Sequence, residues 1–81
     1  METRDLLRIA SARTHSRTGT GRQLRLAAEL TKAEVASAVG VSEDTIRRWE
    51  EAKNAPRGIK AAKWADLLDQ LAETYSASPA A

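Results

Sequence analysis

Residues 31–50 of this 81-residue chain read TKAEVASAVGVSEDTIRRWE and contain two helix starts with a glycine between them. Thr31 and Glu34 fit a capping box, in which a threonine side chain caps the helix and a glutamate reaches back to the threonine N–H. Ser42 is a second N-cap, because acidic residues follow it where the helix dipole favours them. Gly40 can adopt the left-handed conformation that ends a helix. The stretch predicts a helix of about eight residues, a turn of about three or four, and a second helix.

Outside this stretch, apolar residues recur at helical spacing and no run alternates as a strand would. Pro56 must end the second helix by Ala55, and a last helix is expected from about Gly58 to about Tyr75. The fold class predicted is therefore all-α, with about five short helices around a central helix-turn-helix. The apolar positions behind this prediction are Leu26 with Leu30, Val35 with Val39, Ile46 with Trp49, and the stripe Ile59, Ala62, Trp64, Ala65, Leu68 and Leu71.

The chain before the motif is basic and is the part that the sequence determines least. Residues 1–22 carry five arginines against two acidic residues, a net +3, whereas the remainder carries a net −1. A leading segment of this kind permits nucleic acid as a partner, provided that its cations share one face.

Local signals divide the chain into three parts. Thr3 can cap a short amphipathic helix, the stretch Thr14 to Thr20 is expected to be a polar loop, and Thr20 with Gln23 matches another capping box. The predicted organisation is a basic segment at 1–19 with a short amphipathic helix, a helix-turn-helix domain at 20–75, and a disordered tail at 76–81.

Composition excludes several classes of protein. The chain has no cysteine and a single histidine, His15, so we expect no disulfide framework, no metal site and no cofactor. No nucleophile paired with a base is present, which argues against an enzyme and leaves no catalytic residue to name. No apolar run approaches the ~20 residues needed to cross a bilayer. We therefore expect a cytoplasmic protein, with no membrane association and no small-molecule ligand.

At this point the sequence resembles a known family. The residues that carry the resemblance are RQLR at 22–25, LTKAEVA at 30–36, VGVS at 39–42, IRRWE at 46–50, Lys53 and Pro56. They are similar to the helix-turn-helix domain of phage repressors, Cro proteins and Xre-type regulators, over roughly Gly21 to Leu71. The resemblance implies that Glu43 to Glu50 is a recognition helix, whose N-terminal residues enter the major groove of DNA.

The resemblance also implies roles for individual residues. Arg48 can pair with guanine through two hydrogen bonds, and Glu43 or Asp44 can accept one from a cytosine amino group, unless these two carboxylates only satisfy the helix N-terminus. The base-contacting set implied is Glu43, Asp44 and Arg48. The backbone or supporting set is Lys32, Ser42, Thr45, Arg47 and Lys53, joined by Arg17 and Arg22 of the basic segment. The structural set is Arg25 in a salt bridge with Glu50, Ala36 at the helix crossing, Gly40, Ile46 and Trp49.

Given this resemblance, the most direct interpretation is a small transcription regulator of prokaryotic or phage origin that binds duplex DNA in a sequence-specific way. It would be a repressor or antitoxin that acts by occupying an operator. It is expected to form a homodimer that is weak or depends on DNA. One alternative is an architectural protein of the excisionase or MerR type, which requires a β-wing after the motif. The other is a helical adaptor that binds a protein partner through Leu6, Leu7 and Ile9.

Overall fold

The computed structural model of the chain describes residues 2–76, which form five α-helices. These are α1 (Thr3–Thr18), α2 (Thr20–Ala27), α3 (Lys32–Val39), α4 (Glu43–Glu50) and α5 (Gly58–Leu71), and a π-helical turn (Ala72–Ser76) follows α5. Residues 2–76 contain no strand, so the predicted all-α class is confirmed. None of these helices is long and apolar enough to cross a membrane. Apart from the backbone of Ser76, the tail predicted at 76–81 lies outside the described residues.

The turn between α3 and α4 forms as its local signals predict. The Thr31 hydroxyl accepts a hydrogen bond from the Glu34 N–H at 3.0 Å, and a Glu34 carboxylate oxygen accepts one from the Thr31 N–H at 2.8 Å. Gly40 ends α3 with a φ of 89°, and Ser42 caps α4 by accepting from the Thr45 N–H at 3.0 Å. Each helix end is therefore stabilised by residues within four positions of it.

The polar loop expected at Thr14 to Thr20 is wrong, because α1 continues to Thr18. Helical spacing places Ile9, Ala12 and Ser16 on one buried face, and burial of that face outweighs the polar sequence. The hydroxyls of Thr14 and Thr18 each donate to the carbonyl oxygen four residues earlier, so these side chains are satisfied within the helix.

The capping box expected at Thr20 and Gln23 is also wrong. The residue that precedes α2 is Gly19, whose φ of 83° lets the chain turn directly from α1 into α2. The Thr20 hydroxyl instead lies 2.7 Å from His15 Nδ1 and 3.0 Å from the Thr18 hydroxyl. Because α1 ends so close to α2, tertiary partners take the side chain that the local pattern assigned to a cap.

The core lies around α5 and takes buried apolar residues from all five helices. Trp64 and Ile46 are fully buried, and the rings of Trp49 and Trp64 lie 5.0 Å apart between centroids. Gly21 lets α2 approach α5, since a Cβ at this position would lie 2.9 Å from the Trp64 ring. Two of the predicted apolar positions lie outside the core: Leu26 and Ile59 are about half exposed, and Leu24 is the large apolar residue that α2 buries.

The remaining apolar face on α1 is smaller than the sequence suggested. Of the three residues proposed for an adaptor surface, Ile9 is buried in the core, while Leu6 and Leu7 are exposed. The Arg8 side chain also joins α1 to α5, because its Nε donates to Asp66 Oδ1 at 2.9 Å. Helix α1 is therefore packed onto the domain along much of its length.

Candidate nucleic-acid interface

Helix α4 is oriented by its two apolar residues. Ile46 is fully buried and Trp49 is 6% exposed, so the opposite face of the helix points outward. Glu43, Asp44 and Arg48 are exposed on that face, and Arg47 is half-buried beside them. The structure thus brings the three predicted base-contacting residues together on one open surface.

A buried ion pair anchors the C-terminal end of α4. Arg25 Nε donates to Glu50 Oε2 at 2.6 Å and Arg25 Nη2 donates to Glu50 Oε1 at 3.0 Å, with side-chain exposures of 8% and 2%. The remaining terminal nitrogen, Nη1, donates to the Leu30 carbonyl oxygen at 3.0 Å. The hydrogen bonds from Arg25 to the Glu50 carboxylate raise the pKa of Arg25 above its ordinary value. The salt bridge that the resemblance implied is present and ties α2 to α4.

Helix α1 also braces this end of α4, which the sequence did not predict. The buried Ser16 hydroxyl donates to the Trp49 carbonyl oxygen at 2.6 Å, and Arg13 Nε donates to the Pro56 carbonyl oxygen at 2.9 Å. The carbonyl groups of a helix's last turn lack partners within the helix, so Ser16 satisfies one of them. The spacing of Ile9, Ala12 and Ser16 is the only sequence signal that could have indicated this contact.

The backbone after α4 turns through a non-glycine residue. Ala52 has a φ of 58°, in the left-handed region where glycine is the usual residue. The Lys53 N–H donates to the Arg48 carbonyl oxygen at 2.9 Å, which closes the helix end. Ala52 therefore forms a turn whose conformation favours glycine, at some cost in backbone strain.

At the N-terminal end of α4, one carboxylate binds two arginines. Asp44 Oδ1 accepts from Arg47 Nε at 3.0 Å and from Arg47 Nη2 at 2.5 Å, while Asp44 Oδ2 accepts from Arg48 Nε at 2.7 Å. The hydrogen bond from Arg48, and then that from Arg47, hold the pKa of Asp44 below its ordinary value. Among residues 2–76, the exposed Glu43 carboxylate has no ion pair or hydrogen bond of this kind. The outward face of α4 therefore carries a preformed charge network centred on Asp44.

The candidate backbone-contacting residues lie around this face. Lys32, at the start of α3, lines a shallow groove with Glu43, Asp44 and Arg47. Ser42 and Thr45 form the cap of α4 between these helices. Lys53, beyond the other end of α4, lies 3.4 Å from a Glu51 carboxylate oxygen. Cations thus flank both ends of α4.

The two arginines from the basic segment occupy different places. Arg17, on α1, lines a groove with Arg13 and Asn54, next to the loop that follows α4. Arg22 is exposed in the first turn of α2, and no hydrogen bond or ion pair among the described residues joins it to α4. The structure therefore brings Arg17, but not Arg22, to the neighbourhood of the motif.

Three polar residues at this surface were missed by the sequence reasoning. Asn54 and Arg57 line a groove with Thr45 and Lys53, and Arg13 reaches the same loop from α1. The signal available in the sequence was the short polar and basic stretch KNAPR at 53–57, directly after the recognition helix.

Comparison with known families agrees with this geometry. A family model described as helix-turn-helix, of the Xre and lambda-repressor type, matches residues 22–75, about two thirds of the chain. The chain therefore belongs to this helix-turn-helix family, whose members are DNA-binding regulatory proteins and generally not enzymes. No curated protein and no solved structure matches the chain significantly. Helix α1 precedes the matched range.

Proposed function

We propose that the chain is a sequence-specific transcription regulator, a small repressor that acts by occupying an operator in duplex DNA. The observation that carries the proposal is the rigidly held α4: its apolar side and its Arg25–Glu50 anchor are buried, and its polar side is open. A helix fixed in this way can enter the major groove without reorganising, which lowers the cost of ordering on binding.

In this proposal the first turns of α4 face the base edges. Arg48 donates to the two acceptors of a guanine, N7 and O6, and Glu43 accepts from a cytosine amino group. The resemblance also implied a base contact for Asp44, whose carboxylate binds Arg47 and Arg48 in the absence of DNA. Phosphates are contacted by Lys32, Ser42, Thr45, Arg47 and Lys53, with Arg17 and Arg22 as outer contacts.

The proposed arrangement of DNA half-sites follows from the short length of α4. One α4 reads only a few base pairs, so we propose that two copies bind neighbouring half-sites about 34–36 Å apart, as a weak or DNA-dependent homodimer. Selection of binding sites from a random duplex pool tests this arrangement: a palindromic consensus supports it, and a direct-repeat consensus contradicts it.

An architectural role of the excisionase type has little structural support. Its β-wing would follow the motif, and the chain there forms α5 (Gly58–Leu71), with no strand anywhere in the part that the structure describes. An operator-binding role needs no such element.

Replacing Arg48 with alanine tests the base contact directly. Arg48→Ala should weaken binding to the selected duplex by about 1–3 kcal/mol and relax the preference at one base pair. The matched control is Arg17→Ala, which should weaken binding evenly on all sequences and lower the salt slope by about 1. Fluorescence anisotropy with the selected duplex and a scrambled duplex measures both effects. Equal losses from both variants on both duplexes would contradict the proposal.

A further inference from the structure

We propose that Asp44 is a positioning residue for specificity: it orients Arg48 toward a guanine and keeps Arg47 and Arg48 from binding DNA phosphates indiscriminately. This inference rests on the proposed function and assigns Asp44 a role through its neighbours rather than through a base contact of its own.

Asp44 contacts the guanidinium group of Arg48 at its Nε atom. Asp44 Oδ2 engages Nε of Arg48 at 2.7 Å, and within residues 2–76 neither terminal nitrogen of Arg48 has a hydrogen-bond partner. A guanidinium held at Nε still presents Nη1 and Nη2 as a pair of parallel donors. Guanine offers a matching pair of acceptors in the major groove, so the side chain is oriented before DNA arrives.

The contact with Asp44 also fixes the direction in which the Arg48 side chain points along α4. Helical side chains lean toward the N-terminus, and a partner four residues earlier reinforces this tilt. Asp44 lies in the first turn of α4, which is the end that enters the groove in this family. The Asp44 contact therefore holds the Arg48 head toward the bases instead of toward the phosphates along the groove walls.

Asp44 also limits the net positive charge on the outward face of α4. Asp44 also accepts two hydrogen bonds from Arg47, and Arg47 Nη1 donates to a Glu51 carboxylate oxygen at 3.2 Å. The outward face thus pairs its two arginines with two carboxylates and has little net attraction for phosphate. Removing Asp44 would release both guanidinium groups to any phosphate in reach, which raises non-specific affinity and its salt dependence.

The chain offers a matched control for Asp44→Asn. Glu29 is exposed in the loop after α2, and among residues 2–76 its carboxylate has no hydrogen bond or ion pair. Glu29→Gln therefore removes the same charge without releasing an arginine and without changing a proposed base contact. A difference between the two variants reports the contacts of Asp44 and not the change in net charge.

The experiment measures Kd for the duplex enriched from a random pool and for a scrambled duplex of equal composition, at several salt concentrations. Relative to Glu29→Gln, Asp44→Asn should lower the ratio of the two affinities by about tenfold. It should also steepen the salt slope on the scrambled duplex by about 1. Asp44→Glu should keep most of the specificity, because a glutamate can still reach the Arg48 Nε.

A double-mutant cycle separates positioning from direct base contact. With Arg48→Ala already present, Asp44→Asn should leave base preference unchanged, since its effect passes through Arg48. Equal specificity ratios for Asp44→Asn and Glu29→Gln, or a preference lost through Asp44 in the absence of Arg48, would overturn the inference while the proposed function stands. Failure to enrich any sequence, or an Arg48→Ala variant with wild-type affinity, would overturn both.

Discussion

The two ends of α4 both hold a carboxylate against arginine, but in different surroundings. At the C-terminal end, Glu50 and Arg25 are 2% and 8% exposed in their side chains; at the N-terminal end, Asp44 and its partners Arg47 and Arg48 are 53%, 38% and 48% exposed. Leaving one member of a buried pair alone strands a charge away from water, whereas an exposed pair exchanges with water at little cost. The same chemistry therefore fixes the fold at one end and stays exposed to solvent at the other, where we propose that it contacts DNA.

The strongest test of this contrast is removal of one buried partner. Glu50→Ala should lower the free energy of unfolding by about 3–5 kcal/mol, because the Arg25 guanidinium is left buried without its carboxylate. Asp44→Ala should cost less than about 1 kcal/mol. Urea unfolding followed by circular dichroism measures both, and similar losses from the two variants would refute the contrast. Replacing both partners, Arg25→Met with Glu50→Leu, should recover much of the stability.

The brace from α1 should have a smaller effect at the same end of α4. Ser16→Ala removes the buried hydrogen bond to the Trp49 carbonyl oxygen and should lower the free energy of unfolding by about 1 kcal/mol. Ser11→Ala is the control, since among residues 2–76 the Ser11 hydroxyl has hydrogen bonds only to the exposed Asp69 carboxylate, at 3.2 Å and 3.3 Å. Urea unfolding in which both variants match the wild type would show that α1 does not support α4.

For the strained turn after α4, we expect a substitution that raises the free energy of unfolding instead of lowering it. Ala52→Gly relieves a left-handed residue and should raise the free energy of unfolding by about 0.5 kcal/mol, since part of the relief is offset by the greater freedom of glycine in the unfolded chain. Ala38→Gly, the same substitution within α3, should lower it by about 1 kcal/mol. Thermal unfolding distinguishes the two variants by opposite shifts of Tm, and a loss at position 52 would contradict the strain.

At the exposed N-terminal end of α4, we expect the titration of Asp44 to have little effect on the free energy of unfolding. Hydrogen bonds from Arg48 and Arg47 lower the pKa of Asp44, so its contribution to stability is present above the ordinary aspartate value of about 3.9 and is lost as pH falls through the lowered pKa. NMR titration of the side-chain carboxyl carbon should therefore give a midpoint below that value. Arg48→Ala and Arg47→Ala should each raise the midpoint, because each removes a hydrogen bond and a positive charge beside the carboxylate. A midpoint unchanged in both variants would show that Asp44 is not bound to them.

The motif was predictable because its signals are local. Thr31, Gly40 and Ser42 act on backbone groups within a few residues, so their roles do not depend on the rest of the fold. The outward face was predictable for a similar reason, since burial of Ile46 and Trp49 leaves only one direction for their neighbours. That Asp44 would bind both Arg47 and Arg48 was not predictable, because several rotamers of nearly equal energy satisfy an exposed carboxylate.

The sequence by itself determined the helix boundaries from Thr31 to Glu50 and the set of charges that α4 displays, since caps and helical periodicity are properties of short stretches. Only the tertiary structure decided that α1 runs to Thr18 and braces α4 through Ser16. That outcome depends on burial against α4 and α5, and such contacts between residues distant in the chain override weak local preferences. The hydroxyl of Thr20 was decided by the sharp turn at Gly19, which brings it to His15 and Thr18 at the end of α1, where the pattern of residues 20–23 had predicted a cap.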